Sequence, residues 1–301
     1  MLTIAYDPIY QHPLPEGHRF PMIKYELIPK QLLHHGIIQP HQLFSPKPCD
    51  EEVILLTHEQ QYWNDLKDCA LDASHIRRIG FPLTPQLVER EICIAQGTID
   101  CAINAIKYGA ALNIAGGTHH AFTNRGEGFC LLNDMAIAAN YLLHHQLKKR
   151  ILIVDLDVHQ GNGTAQIFKD QTNVFTLSMH GKNNYPFFKE VSNCDVELPD
   201  GIEDEAYLAL LEKHLTESLN HFEPDFVFYL SGVDVLETDK YGKLKITPQG
   251  CKQRDELVFT KCKQLNLPVA VAMGGGYSPK IADIVDAHCN TFMAANEIFF
   301  E

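Results

Sequence analysis

A chain of 301 residues, 45% hydrophobic and 21% charged, has globular composition and can bury a sizeable core, which excludes disorder as its main state. Its 38 acidic residues against 25 basic give a formal charge of −13; this disfavours sequence-independent nucleic-acid binding and permits cationic substrates, although solubility alone accounts for it equally well. No apolar run approaches the roughly 18 residues of a membrane helix, and residues 1–7 lack the basic and long apolar stretches of a leader. The expectation is a soluble, cytoplasmic protein with no membrane association and no direct nucleic-acid binding. The nine cysteines, odd in number and without a Cys-x-x-Cys pair, read as reduced core residues.

In chain order, the first eighty residues are rich in His and Pro and weakly periodic, which predicts short helices and loops. Thr84-Pro85 then carries the cap-then-proline signature of a helix start, with apolar positions continuing to Ala105 and Ile106. Strand-sized apolar runs follow over residues 111–115, 151–156, 174–177, 226–230 and 268–273. Helical stretches over 133–147, 204–220, 247–265 and 278–298 separate them, the last two opening on Thr247-Pro248 and Ser278-Pro279. Strands apolar on both faces, alternating with helices, specify an α/β fold. With no repeat and no Gly/Ser linker, one domain over residues 1–301 is expected: an open parallel sheet flanked by helices on both faces.

Each predicted strand delivers a polar or glycine-rich cluster to the same edge. The first is followed by Gly116-Gly117-Thr118-His119-His120, the second by Asp155-Leu156-Asp157-Val158-His159, and the third by Ser178-Met179-His180. The fourth ends in Ser231-Gly232-Val233-Asp234 and the fifth in Gly274-Gly275-Gly276-Tyr277. Open parallel sheets bind ligands beyond the carboxyl ends of their strands, so this edge is the expected active site.

Asp155, Asp157 and His159 alternate along an extended segment and share a face. Converging ionisable groups beside an apolar strand need a compensating cation. With Asp234 added, two carboxylates and one imidazole form a three-ligand set that leaves a position open, as catalytic zinc requires; oxygen-rich ligation would also accept Fe2+. Adjacent histidines behind two glycines read as an acid/base pair, because imidazole titrates near neutrality. Gly274-Gly275-Gly276-Tyr277 allows close backbone approach and presents a phenol. Two aromatic clusters lie in Gly126-Glu127-Gly128-Phe129-Cys130 and Tyr185-Pro186-Phe187-Phe188; Phe187 and Phe188 are expected in the core.

Taken together these motifs resemble the histone deacetylase family. The likeness runs through Gly116-Gly117-Thr118-His119-His120-Ala121, Gly128-Phe129-Cys130-x-x-Asn133-Asp134, Asp155-x-Asp157-x-His159-x-Gly161-x-Gly163, Gly232-Val233-Asp234 and Gly274-Gly275-Gly276-Tyr277. His18-Arg19-Phe20-Pro21-Met22 and Ile79-Gly80-Phe81-Pro82-Leu83 are similar to bacterial members, and Asp157-Val158-His159-Gln160-Gly161-Asn162-Gly163 looks closest to the class IV branch. Arginases share the fold, but their motif would need an acid where Gly161 stands, so one metal is implied rather than two.

The resemblance implies an arginase/deacetylase fold and a metal-dependent amidohydrolase. Asp157, His159 and Asp234 would hold one Zn2+ per chain, with Fe2+ possible. His120 would be the general base and acid, His119 its electrostatic partner supported by Asp155, and Tyr277 the donor to the oxyanion. Gly128, Phe129, Tyr185 and Gly275 would contact substrate, with Phe129 and Tyr185 walling a tunnel for a lysine's methylene stem. A structural K+ would lie near Asp155, Asp157, His159, Ser178 and Met179. One departure stands out: Asn162 replaces the Asp that orients the base histidine in many relatives.

The expected activity is therefore zinc-dependent hydrolysis of N-acyl-lysine amides in a protein or peptide, or of an acylated small amine. An acetylpolyamine amidohydrolase is the alternative, although the long insertion through which those enzymes usually dimerise is missing. An inactive acyl-lysine binding module is a third reading, against which intact His119, His120 and Tyr277 weigh.

Overall fold

The apolar runs are buried on both faces because they pair with one another. In the computed structural model, which describes residues 1–301, they form one parallel sheet of eight strands rather than five. These are β1 (Thr3–Ala5), β2 (Leu43–Phe44), β3 (Ala110–Asn113), β4 (Ile151–Asp155), β5 (Val174–Gly181), β6 (Cys194–Leu198), β7 (Phe226–Leu230) and β8 (Val269–Ala272). Every residue of β3, β4, β7 and β8 is buried. The three unpredicted strands are the ones without such a run. β1 and β2 are very short, and β6 is an edge strand whose Asp195 and Glu197 face solvent.

Ten helices flank the sheet: α1 (Lys24–His34), α2 (Glu51–Ile54), α3 (Gln60–Lys67), α4 (Ala73–Ile79), α5 (Pro85–Tyr108), α6 (Asp134–His144), α7 (Asn162–Phe168), α8 (Asp204–Phe222), α9 (Pro248–Gln264) and α10 (Ile281–Phe300). α5 packs on α6, while α1, α10, α9 and α8 form a contiguous row. The Thr84 and Thr247 hydroxyls cap α5 and α9 by accepting from Leu87 N and Gly250 N at 3.1 and 3.0 Å. The third signature fails. Ser278 does not cap α10, which begins at Ile281, because its hydroxyl is paired at 2.8 Å with Thr238 Oγ1, 40 residues earlier in the segment between β7 and α9. No helix is long and apolar enough to cross a membrane. All nine cysteines are unpaired, and all but Cys69 and Cys194 are buried.

Strand order determines what meets at the edge. The sheet reads β2-β1-β3-β8-β7-β4-β5-β6, so β3 and β4, consecutive among the central strands in sequence, are separated by β8 and β7. The clusters after β3, β8, β7, β4 and β5 thereby become neighbours at the topological switch point, where such sheets bind ligands.

Phe187 and Phe188 depart from expectation. They are 85% and 93% exposed, not core. They lie in the loop between β5 and β6, where Tyr185 takes the inward position. Gln160 pins that loop by donating from Nε2 to Glu190 O at 2.6 Å and accepting from Glu190 N at 2.9 Å, and Lys189 Nζ donates to Asn184 O at 2.7 Å, leaving both phenyl rings outside.

Beneath the edge lies a buried ion pair. Arg254 on α9 donates from Nε to Asp255 Oδ1 at 2.9 Å, and from its fork to the carbonyls of Leu156 and Gly232 just beyond β4 and β7. Asp255 also accepts from Tyr229 and Thr291. Removing one partner strands the other charge. Arg254→Leu is therefore expected to cost about 3–5 kcal/mol of unfolding free energy, read by urea denaturation.

Candidate active site

The site is built on carboxylates that accept backbone N–H groups in tight turns. Asp155, the last residue of β4, accepts from Asp157 N at 3.1 Å. Asp157 accepts from His159 N at 3.0 Å through Oδ1 and from Gly275 N at 2.8 Å through Oδ2. Asp234, beyond β7, accepts from Val158 N at 2.9 Å through Oδ1. The backbone comes this close because Gly232 and Gly275 lack side chains. A Cβ on Gly232 would stand 2.5 Å from Asp157 Oδ2, and one on Gly275 would collide with Asp234 Oδ2.

Asp157, His159 and Asp234 thereby place three ligand atoms within 4.8 Å of one another. His159 Nδ1 lies 2.9 Å from Asp157 Oδ1 and 3.2 Å from Asp234 Oδ2, and the latter oxygen is buried without a hydrogen bond. Burial, then the neighbouring Asp157, push the Asp234 carboxyl up to about 7. Burial opposes charge on His159, but the adjacent Asp157 and Asp234 carboxylates hold its pKa up to about 10. Both shifts express one need, positive charge between two dry carboxylates. An orphaned carboxylate oxygen and a two-oxygen, one-nitrogen donor set fit a divalent cation.

The histidine pair divides into unlike partners. His119 Nδ1 is 2.7 Å from Asp155 Oδ2, and His120 Nδ1 is 2.7 Å from Asn162 Oδ1. Burial disfavours the charged form of both. Asp155 and Asp157 overcome it at His119, whose pKa is raised, whereas His119 and His159 add to it at His120, whose pKa falls well below the usual imidazole range. Since the Asn162 oxygen accepts, His120 carries its hydrogen on Nδ1, which leaves Nε2 as a lone pair.

Glu127, unanticipated from the sequence, explains Asn162. The Asn162 amide donates to Glu127 Oε1 at 2.6 Å, and the Tyr185 hydroxyl donates to the same oxygen at 3.0 Å. An aspartate at 162 would face this carboxylate without a hydrogen between them; an amide serves both sides. The only signal in the sequence was an acid bracketed by Gly126 and Gly128.

Aromatic rings wall the approach. Phe129 adopts a φ of 68°, held by its N–H on Ile79 O at 2.7 Å, and packs at 5.1 Å from Phe81 and 5.3 Å from Phe20. Tyr185 stands edge-on to His120 at 5.0 Å. Tyr277 is fixed through its N–H on Asp239 Oδ2 at 2.6 Å. Burial, then Asp234 and Asp157, keep its phenol protonated by pushing its pKa well up. Gly128, Phe129, Gly275 and Tyr277 border an inner pocket of about 40 Å³; Phe129, Tyr185 and Tyr277 border an outer cavity of about 380 Å³. Ser178 and Met179 sit on β5 behind the site, with Ser178 opposite Asp155 in register. Lys24, fully buried, donates to Gly274 O at 2.9 Å, and burial lowers its pKa to about 8 against the pull of Asp234 and Asp157. Nothing in the spacing around Lys24 or Asp239 marked either residue.

A parallel sheet carrying this donor set at its switch point, beside an oriented neutral imidazole, defines a hydrolase of the deacetylase type. The profile of the histone deacetylase domain matches residues 18–292. The chain belongs to the histone deacetylase family. It is 44% identical over 296 residues to an uncharacterized protein of Picosynechococcus sp., covering 98% of this chain and 99% of that one. It is 31% identical over 277 residues to histone deacetylase 2 of Arabidopsis thaliana, covering 89% and 72%. Against human histone deacetylase 1 it is 27% identical over 286 residues and spans 58% of that protein. Among solved structures, an HDAC homolog from Aquifex aeolicus superposes with a TM-score of 0.82 at 24% identity, covering 99% of this chain and 88% of that one. The HDA15 HD domain gives 0.80 at 20%, covering 96% and 87%; both speak to the fold.

The pair of residues behind His120 makes a pH prediction. A general-base role for His120 would require the unprotonated imidazole, and its pKa would then set the acidic limb of kcat/KM. In the double variant Asn162→Asp, Glu127→Gln, a carboxylate beside Nδ1 favours the imidazolium, and the limb is expected to move up by about 1–3 pH units. Asn162→Asp alone puts two carboxylates together, which share a proton, and should move it less. An unmoved limb in the double variant would assign it to another group.

Proposed function

We propose that the chain is one catalytic domain over residues 1–301 that hydrolyses N-acyl-lysine amides with zinc. The observation that carries this reading is the narrow aromatic-walled inner pocket, which brings Tyr277, His120, Asp157 and His159 to a single point. An uncharged methylene stem suits such walls, with the acyl group at the bottom.

Asp157, His159 and Asp234 would hold the cation, which when bound would polarise the acyl carbonyl and lower the pKa of a neighbouring water; zinc suits the ligand set and Fe2+ is the alternative. His120 takes a proton from the attacking water on Nε2, its Nδ1–H remaining on Asn162. It then gives that proton to the leaving amine. His119, charged more readily through Asp155, supports the negative charge that develops. Tyr277 donates its hydrogen to the oxyanion. Gly128 and Gly275 leave room for the acyl group, while Phe129 and Tyr185 flank the stem. A structural K+ belongs to the same proposal, near Asp155, Asp157, His159, Ser178 and Met179. Nine unpaired cysteines suit a reducing compartment, the cytoplasm, and neither a membrane nor nucleic acid is part of the reading.

The polyamine alternative is disfavoured because no carboxylate lines the outer cavity, where further ammonium groups would lie. Elemental analysis is expected to find about one divalent ion per chain, largely lost in Asp234→Asn. Tyr277→Phe should lower kcat by about 10²–10³ with little change in KM. The deciding assay compares acetyl-lysine, longer acyl-lysine and acetylpolyamine amides on the zinc-loaded enzyme. Polyamines ahead by more than about tenfold would replace the lysine reading, and no turnover of any amide would favour a binding module.

A further inference from the structure

The outer cavity carries a charge opposite to that of the protein. Its lining includes Arg19, Arg78 and Lys243, and none of its residues is an aspartate or glutamate, in a chain where acids outnumber bases by 38 to 25. All three side chains are exposed, and none lies within ion-pair distance of a carboxylate. The nearby acids are occupied. Glu127 is buried against Asn162 and Tyr185, with Arg125 Nε at 3.6 Å, and Asp239 accepts the N–H groups of Tyr241, Gly242 and Tyr277.

Two of the three cations are also held in place. The Arg19 guanidinium lies 4.9 Å from the centre of the Phe129 ring and 5.8 Å from that of Tyr241, so it is stacked across the entrance. Lys243 Nζ donates to Asn183 O at 2.9 Å, which fixes its position and leaves its charge uncompensated. At Arg78 it is the backbone that is fixed: its carbonyl accepts from Gly128 N at 3.1 Å, next to Ile79, whose carbonyl orders Phe129. A freely solvated surface lysine or arginine has no such anchoring. Three positive groups around one opening, two of them guanidinium forks suited to planar anions, make a place for carboxylate.

We infer that the entrance formed by Arg19, Arg78 and Lys243 is a carboxylate-recognition subsite, and that it selects acylated amines whose remaining portion is anionic. This rests on the acyl-lysine reading above, because a lysine stem in the inner pocket would leave its α-carbon and neighbours at this opening. The carboxylates have two sources in that chemistry: Asp or Glu side chains flanking the acyl-lysine of a peptide, or the α-carboxylate of free Nε-acyl-lysine. Ammonium-bearing substrates would be repelled by the same three groups.

The test uses the zinc-loaded full-length protein and peptides of equal length in which acyl-lysine is flanked by Asp/Glu, by Ala, or by Lys/Arg, together with free Nε-acetyl-lysine and its carboxamide. Acidic flanks are expected to raise kcat/KM by about five- to tenfold over Ala, chiefly through KM, the effect of a few screened ion pairs acting together. Basic flanks should lower it, and about 0.5 M salt should erase most of the difference. In the variant Arg19→Gln, Arg78→Gln, Lys243→Gln the acidic-to-neutral ratio should fall to about one. Free acetyl-lysine outrunning its carboxamide by a similar factor would identify the α-carboxylate as the source; an advantage only in acidic peptides would identify side chains. Ala-flanked and acidic peptides cleaved equally would overturn the subsite and leave the deacylase reading intact. Acetylpolyamine turnover without acyl-lysine turnover would overturn both.

Discussion

Two carboxylates, Asp157 and Asp234, stand buried on either side of one imidazole, and the structure around them makes that arrangement tolerable. Removing each charge from water costs roughly several kcal/mol, so backbone donors are directed at them. Backbone N–H groups of His159, Gly275 and Val158 supply hydrogen bonds. Gly232 and Gly275 let those groups approach, and Arg254 ties the strand ends that carry both acids. One oxygen of Asp234 still lacks a partner. That remaining deficit is what a divalent cation would satisfy; burial and the Asp157 charge raise the Asp234 carboxyl, and the two carboxylates raise His159 against the effect of burial.

The same electrostatics separates two adjacent and identical side chains. His119 and His120 have ring centres 4.1 Å apart, yet one is held by a carboxylate and the other by an amide. Charge on the first suppresses charge on the second. Positive charge is thereby favoured on His119 and disfavoured on His120. The amide at 162 sustains this division while meeting Glu127 on its other side.

Net charge and local charge point in opposite directions in this molecule. A formal charge of −13 suggests attraction for cations at long range. Within about a Debye length of the opening, however, it is Arg19, Arg78 and Lys243 that a substrate meets. The loop bearing the exposed Phe187 borders the same opening. Its pattern of residues reads as apolar core, but the inward position is already taken by Tyr185 through its bond to Glu127.

Local patterning was enough for the central strands, for the capped starts of α5 and α9, and for Asp157, His159 and Asp234 as one set, because burial, N-capping and strand periodicity are written over a few consecutive residues. The same holds for His119, His120 and Tyr277, each marked by flanking glycines at a strand end. What tertiary structure alone decided came from contacts far apart in the chain. The order β3-β8-β7-β4 unites motifs some hundred residues distant. Ser278 gives up its cap to Thr238, Glu127 reaches Asn162 across 35 residues, and Lys24 finds Gly274 across 250. The cations of the entrance come from three separate segments of an acidic chain. A sequence states which groups exist and how neighbouring ones are spaced; which distant groups share a dielectric and a hydrogen bond is settled only when the sheet has closed around them.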